Sequence, residues 1–406
     1  VKVLQLSKFY PPHFGGIEAV ARDLSAGLVA RGVEVRVLCA NQRLREAHDT
    51  DALGVQISRA ANFGMLLSTS MAPGMLKLMR RHRDEPDVIH VHMPDPLAAL
   101  AVWWARPRGR VVLHWHSDVV RQRISMALYR PLQDWLLQRA DAIVASSEAY
   151  AQTSLPLVPW QHKVEVIPIG TAPPQPVTPE RVAETRARYG GRRIVFALGR
   201  LTYYKGYEVL LEAAPELPDD VVVVVAGGGP ELPRWRARAQ AAGVQDRVQF
   251  VGPLSAMRVE SHFAAADLFC LASTVRAEAY GVAVAEAMAR GLAVVATNIP
   301  GSGLGWLHRD GVTGLSVPPG NADALAQALN TLLADDALRQ RCGLGARQRW
   351  EQVLCAQAMC DAMLALYRRL LGQVPDDAGP AAPTAPDDAL AAADALPPGL
   401  TRPAPH

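Results

Sequence analysis

Short apolar, β-branched runs alternate with helical stretches along this chain, and the alternation occurs twice over. Val221 to Val225 is an unbroken run of valines. A strand that is apolar on both faces must be covered on both faces, the condition of a strand inside a helix-flanked parallel sheet. Similar runs nearby are Arg193–Leu198, Arg247–Val251, Asp267–Leu271 and Leu292–Thr297. An earlier series comprises Val1–Leu6, Val33–Cys39, Asp87–His92, Arg110–Trp115, Asp141–Ser146 and Val164–Pro168. Helical spacing fills the gaps, as in Ile17–Arg31, which Gly32 would terminate. In Arg121–Arg139, Pro131 is expected to kink or split the helix. Two consecutive βα series predict an α/β protein of two doubly wound, Rossmann-like domains.

Pro168, Pro173, Pro174, Pro176 and Pro179 mark the linker between them. The expected division is therefore 1–170, 171–350, a closing helical segment 351–372, and a tail 373–406. From Val374 onward the tail holds 8 Pro and 10 Ala in 33 residues, a composition expected to stay disordered. Residues 1–170 carry 20 Lys/Arg against 15 Asp/Glu. That excess suits an anionic membrane surface or an anionic substrate, or is ordinary variation, and it is too small for nucleic acid. The cysteine count is odd and no CxxC pair occurs, which fits buried free thiols in a reducing cytoplasm. The chain enters its first strand without a signal peptide, and no apolar stretch approaches the ~20 residues of a membrane span. The expected location is cytoplasmic, with at most peripheral contact at the inner membrane. For that contact Met75–Arg83, which mixes apolar and basic residues at helical spacing, is either a surface-seeking helix or a packed helix with solvated arginines.

Four segments carry chemistry. Glu278 and Glu286 flank a helix start opened by Gly281, so they would grip hydroxyls at two points of an extended ligand, or else be surface glutamates. In Gly199-Arg-Leu-Thr-Tyr-Tyr-Lys-Gly206, Arg200 and Lys205 lie where a strand gives way to a helix. Two cations there would stabilise a departing diphosphate without a metal, or form a solvated basic turn. Gly15 and Gly16 open the first helix without the G-x-G-x-x-G and acidic partner of a dinucleotide fold. His114-Trp-His116-Ser-Asp118 ends a strand, the place where open α/β sheets bind ligands. His116 is expected to enter the cleft, and His114 to take the opposite face as a core histidine. Asp118 would orient His116, reach the acceptor, or cap the following helix. His90 and His92 have a spacing that could bind metal, but no third histidine or carboxylate is convincingly placed, so no metal site is expected.

These motifs, in this order and at these strand ends, resemble the family-4, GT-B retaining glycosyltransferases over residues 1–372. The resemblance implies two domains facing a central cleft, a nucleotide-diphosphate sugar as donor, no cofactor and no metal. It also implies that Glu278 contacts the transferred sugar, Glu286 the ribose, Arg200 and Lys205 the β-phosphate, and His116 the sugar near its reacting carbon. Gly15, Gly16, Gly199, Gly228, Leu254, Tyr280 and Gly281 would line the donor site. Asn298–Gly303 departs from the commoner wording of the family. The segment from His114 through Asp118, with Val119-Val120-Arg121 after it, resembles a bacterial subgroup of mannosyl or rhamnosyl transferases of surface polysaccharides. GDP-mannose is therefore the leading donor and a UDP-hexose the second, with a glycan or lipid-linked glycan as acceptor. A sugar-nucleotide epimerase, a phosphorylase or a non-catalytic scaffold are the competing classes.

Overall fold

The computed structural model describes residues 1–13, 15–66, 69–118 and 123–373, and only the backbone of 123–128. Phe14 of the first glycine loop, Val119-Val120-Arg121 and the tail from Val374 lie outside the described residues.

The first sheet is built from β1 (Lys2–Leu6), β2 (Glu34–Ala40), β3 (Ala47–Thr50) and β4 (Gln56–Ala60). After a small hairpin of β5 (Met65–Leu66) and β6 (Thr69–Ser70) it continues with β7 (Val88–Met93), β8 (Arg110–Trp115), β9 (Ala142–Ala145) and β10 (Val164–Val166). Its order is β10-β9-β8-β7-β1-β2-β4-β3, parallel except where β3 returns along β4. The second sheet holds β11 (Arg193–Leu198), β12 (Val221–Ala226), β13 (Val248–Gly252), β14 (Leu268–Leu271), β15 (Val294–Thr297) and β16 (Gly314–Val317). Its order is β13-β12-β11-β14-β15-β16, all parallel. Every residue of the valine strand β12 is fully buried, as a centrally placed parallel strand requires. The chain reverses direction of winding between β1 and β7 in one sheet and between β11 and β14 in the other, and crevices form at such reversals beyond the carboxyl ends of the strands.

Two local outcomes differ from the sequence reading, and a third decides between its alternatives. The helix Arg123–Arg139 runs through Pro131 without splitting, with the proline on an exposed position. The antiparallel edge β3 and the strand β16 are too short and too polar or glycine-led to stand out by periodicity. The basic helix Gly74–His82 buries Met75, Leu78 and Met79 within the protein, so its apolar face is already occupied and only its cationic side meets solvent.

Two chain crossings join the halves, and they lie side by side. Thr171 forms a parallel bridge with Cys355, its N–H donates to Leu354 O, and the Ala356 N–H donates to Thr171 O. Trp350 Nε1 donates to Thr171 Oγ1 at 2.8 Å. The helix Ala356–Leu370 then crosses onto the first half, where Arg31 pairs with Asp361 and Arg369 with Glu165. Tyr367 is fully buried beneath the first sheet, its hydroxyl 2.7 Å from His90 Nδ1. Leaving that ring nitrogen without its buried partner carries a desolvation cost, so Tyr367→Phe should lower stability by about 1–3 kcal/mol. The denaturant midpoint of the variant measures it, and an unchanged midpoint would show that this contact does not hold the crossing helix.

Candidate active site

The loops after β11 and β14 converge on one ion pair. Beyond β11 the chain turns through Thr202 into a short 3-10 turn, Tyr203–Lys205, and Gly206 takes φ +68 in a position where a Cβ would run into the Ala272 carbonyl. That close approach delivers Lys205 Nζ to 2.5 Å from Glu278 Oε2. Ser273 Oγ donates to the same oxygen at 2.7 Å. Burial works against the Lys205 charge, but the Glu278 carboxylate outweighs it and raises the ammonium pKa. The structure thus brings together two of the expected site residues directly. Arg200, five positions earlier, is exposed.

Gly281 (φ +90) caps the helix Val282–Met288, which carries Glu286 on its second turn. Burial pushes the Glu286 carboxyl up to about 7; Arg290 and Arg22 pull against that rise, while Asp23 and Glu260 add to it. Asp23 and Arg22 belong to the helix Gly16–Val29 of the first half, so Glu286 sits where the halves meet. Tyr280 requires a correction: its side chain is 3% exposed, its hydroxyl donates to Ile169 O at 3.2 Å, and its ring stacks near Trp306. It packs the linker, which leaves only its backbone for a ligand. Gly199 lies against the Lys205 side chain, Gly228 O accepts from Leu201 N–H, and Leu254 packs at the edge of the core. Gly15 caps the first helix in extended backbone with Gly16 open beside it.

Lys8, directly after β1, carried no sequence motif. Burial lowers its pKa, Asp95 and Glu18 oppose that shift, and the Arg200 charge from the other half adds to it. Lys8 of the first half and Arg200 of the second are thus close enough for their charges to interact.

Asp118 takes partners on both sides of the crevice that the sequence did not indicate. Its Oδ1 accepts from Trp115 Nε1 at 2.9 Å and Ser154 Oγ at 2.6 Å. Its Oδ2 accepts from Arg276 Nη1 at 2.6 Å. Arg276 belongs to the loop before Glu278, lies 4.3 Å over the Tyr150 ring and donates to Gly301 O. This tie spans the two halves, two residues after His116 in the first and two before Glu278 in the second.

The histidines also require correction. Side chains alternate between neighbours along a strand, so positions two apart share a face. His114 and His116 accordingly stack at 4.1 Å, and His90 and His92 from β7 join them on the face covered by the helices Gly16–Val29 and Ala356–Leu370. His92 stands opposite His114 in register, so the third histidine missing from the sequence reading comes from the neighbouring strand. Ring nitrogens of His90, His92 and His114 lie within 4.8 Å of one another. His90 Nε2 and both nitrogens of His114 have no hydrogen-bond partner, but both nitrogens of His92 are bonded, to His116 and Gln5. A metal would have to break one of those bonds, and none of the carboxylates of the described residues joins the group to balance a dication. Burial holds His114 at a pKa of about 3 and puts His90, His92 and His116 well below the ordinary histidine value, so all four rings are neutral.

The buried ion pair generates a stability prediction. Lys205→Met strands Glu278 in a buried site and should cost about 3–5 kcal/mol, whereas adding Glu278→Gln should recover much of the loss. Thermal melts of the single and double variants compare the two, and equal losses would mean the pair is not coupled.

Known proteins match this architecture throughout. The family model for glycosyltransferase family 4 matches residues 14–173, and that for glycosyl transferases group 1 matches residues 180–349. O-antigen chain mannosyltransferase C of Escherichia coli is 33% identical over 376 residues, 91% of this chain and 99% of that protein. D-rhamnosyltransferase WbpZ of Pseudomonas aeruginosa is 31% identical, covering 88% of this chain and 93% of its own length. The solved structure of Anabaena HepE in complex with UDP-glucose superposes with a TM-score of 0.74 at 21% identity, over 92% of this chain and all of that one. Two winding reversals facing one crevice, matched end to end by these relatives, place the chain in the family-4, group 1 glycosyltransferases: it is a GT-B glycosyltransferase acting on sugar nucleotides.

Proposed function

We propose that the protein is a retaining, metal-independent mannosyltransferase. In this reading it moves mannose from GDP-mannose to a glycan or lipid-linked glycan during cell-surface polysaccharide synthesis. The observation that carries the chemistry is the Lys205–Glu278 pair at the carboxyl ends of β11 and β14, with Arg200 and Lys8 bordering the same crevice. A departing nucleoside diphosphate gains negative charge as the glycosidic bond breaks, and fixed cations aimed at it lower that barrier. Arg200 and Lys205 supply these cations in place of a divalent ion. On donor entry the Glu278 carboxylate turns from Lys205 to the sugar hydroxyls, and Lys205 from Glu278 to the phosphate. Glu286 accepts from the ribose hydroxyls, and His116 meets the sugar beside its reacting carbon. Gly15, Gly16, Gly199, Gly228, Leu254 and Gly281 provide backbone-lined walls, together with the backbone of Tyr280.

The full-length similarity to an O-antigen chain mannosyltransferase supports mannose as the sugar. A UDP-hexose is the second reading, supported by the UDP-glucose complex of a protein with this fold. A panel of nucleotide sugars, scored for hydrolysis and transfer, tests both: fastest turnover with GDP-mannose is expected, and preference for a UDP-hexose would overturn the donor assignment. Among the described residues no helix is long and apolar enough to cross a membrane, so a lipid-linked acceptor would be met at the bilayer surface.

Metal removal gives a direct check. EDTA should leave the initial rate intact, and a loss restored by Mn²⁺ or Mg²⁺ would overturn metal independence. A pH dependence follows from Glu286. Its carboxyl, raised to about 7, accepts ribose hydroxyls best when ionised, so free nucleotide should bind more weakly as pH falls through that value. Glu286→Ala should cost about 1–3 kcal/mol of nucleotide affinity and remove that pH dependence. Calorimetric titration of GDP across the range measures both effects, and an unchanged affinity in the variant would reject the ribose contact.

A further inference from the structure

We propose that a directed hydrogen-bond chain from Ser25 through Gln5 and His92 fixes the ring of His116 in a single tautomer, with its proton on Nε2 and a bare lone pair on Nδ1. Gln5 and His92 are then positioning residues for His116. The catalytic consequence rests on the reading of His116 as the residue that meets the donor sugar.

The direction of the chain is set by a backbone carbonyl, which can only accept. Ser25 Oγ donates to Ala21 O at 2.7 Å within the helix Gly16–Val29. Its one proton is spent there, so toward Gln5 the hydroxyl accepts, and Gln5 Nε2 donates to it at 3.0 Å. That orients the amide with Oε1 toward His92 Nε2, 2.8 Å away, and an amide oxygen accepts, so the His92 proton is on Nε2. His92 Nδ1 is then a bare acceptor. It lies 2.9 Å from His116 Nε2, which must donate. Burial keeps both rings neutral, so each carries one proton and His116 Nδ1 has none. Every member is buried: Ser25 and Gln5 are 0% exposed, His92 1% and His116 6%. Water therefore offers no competing partners along the chain, and reversing it would set Gln5 Oε1 against the Ser25 oxygen, acceptor to acceptor, or cost Ser25 its bond to Ala21 O.

A ring so fixed accepts and does not donate at Nδ1. The group it takes is a hydroxyl of the transferred sugar or of the acceptor, and it offers no proton to a phosphate oxygen. The same chain accounts for three buried polar side chains on adjacent elements, Gln5 on β1, His92 on β7 and Ser25 on the first helix.

Long-range proton–nitrogen correlation spectra of the full chain, labelled with ¹⁵N-histidine, read the tautomer without any substrate. The His116 signals are assigned by their loss in His116→Asn. A pyridine-like Nδ1 and a pyrrole-like Nε2 are expected, and the opposite or an averaged pair overturns the proposal. Gln5→Met removes the acceptor for His92. It should average or invert both tautomers and lower kcat about 10-fold or more, with KM for the nucleotide sugar unchanged. Gln5→Glu keeps an oxygen facing His92 and should recover the tautomer and most of kcat. Ser25→Ala, a smaller change that spares the fold should Gln5→Met not, frees the amide to turn and should produce a second tautomer population. Retention of the single wild-type tautomer in both Gln5→Met and Ser25→Ala would sink the chain as its cause. A changed tautomer with unchanged kcat would support the chain and instead reject the role of His116 in transfer.

Discussion

Two parallel sheets can share a ligand only if their carboxyl ends are held face to face, and here the separation is set by where the chain crosses between them. Thr171 and Cys355 lie against each other as neighbouring extended strands, and a Cβ on Gly170 would run into the Cys355 carbonyl. Both crossings therefore lie at one side of the two halves. Asp118 and Arg276 then tie the walls on the crevice side, where the Arg276 guanidinium also lies over Tyr150.

The most buried charges of the crevice balance each other. Lys205 and Glu278 are each nearly excluded from water, and either one alone would carry a large desolvation penalty. Their pairing offsets that penalty inside the folded protein. Lys8 and Arg200 are contributed by opposite halves, and their charges act on one another where the halves meet.

The histidine face illustrates how a core can remain polar. His90, His92, His114 and His116 occupy one face of two paired strands, covered by a helix from the start of the fold and another from its end. Tyr367, Gln5 and Ser25 satisfy part of the group, while His114 has both nitrogens unpartnered and is held neutral by burial.

The sequence by itself determined the two βα series, the parallel character of both sheets and the strand-end positions of Gly199–Gly206, Glu278–Glu286 and His116, because burial on both faces and glycine-led turns are local demands. It also marked Arg200 with Lys205, and Glu278 with Glu286, of which the structure brings Lys205 and Glu278 into contact. It did not reveal that Tyr280 packs the linker, that Asp118 pairs with Arg276, or that four histidines share a face. Lys8 gave no signal at all, being a lone lysine after a strand. Each of these depends on contacts between residues far apart in the chain: Tyr280 with Ile169, Asp118 with Arg276, Gln5 with His92, Tyr367 with His90. Periodicity tells which face a residue takes on its own element, whereas the partner across the gap is chosen by strand order and by the crossing helix, and only the tertiary structure supplies those.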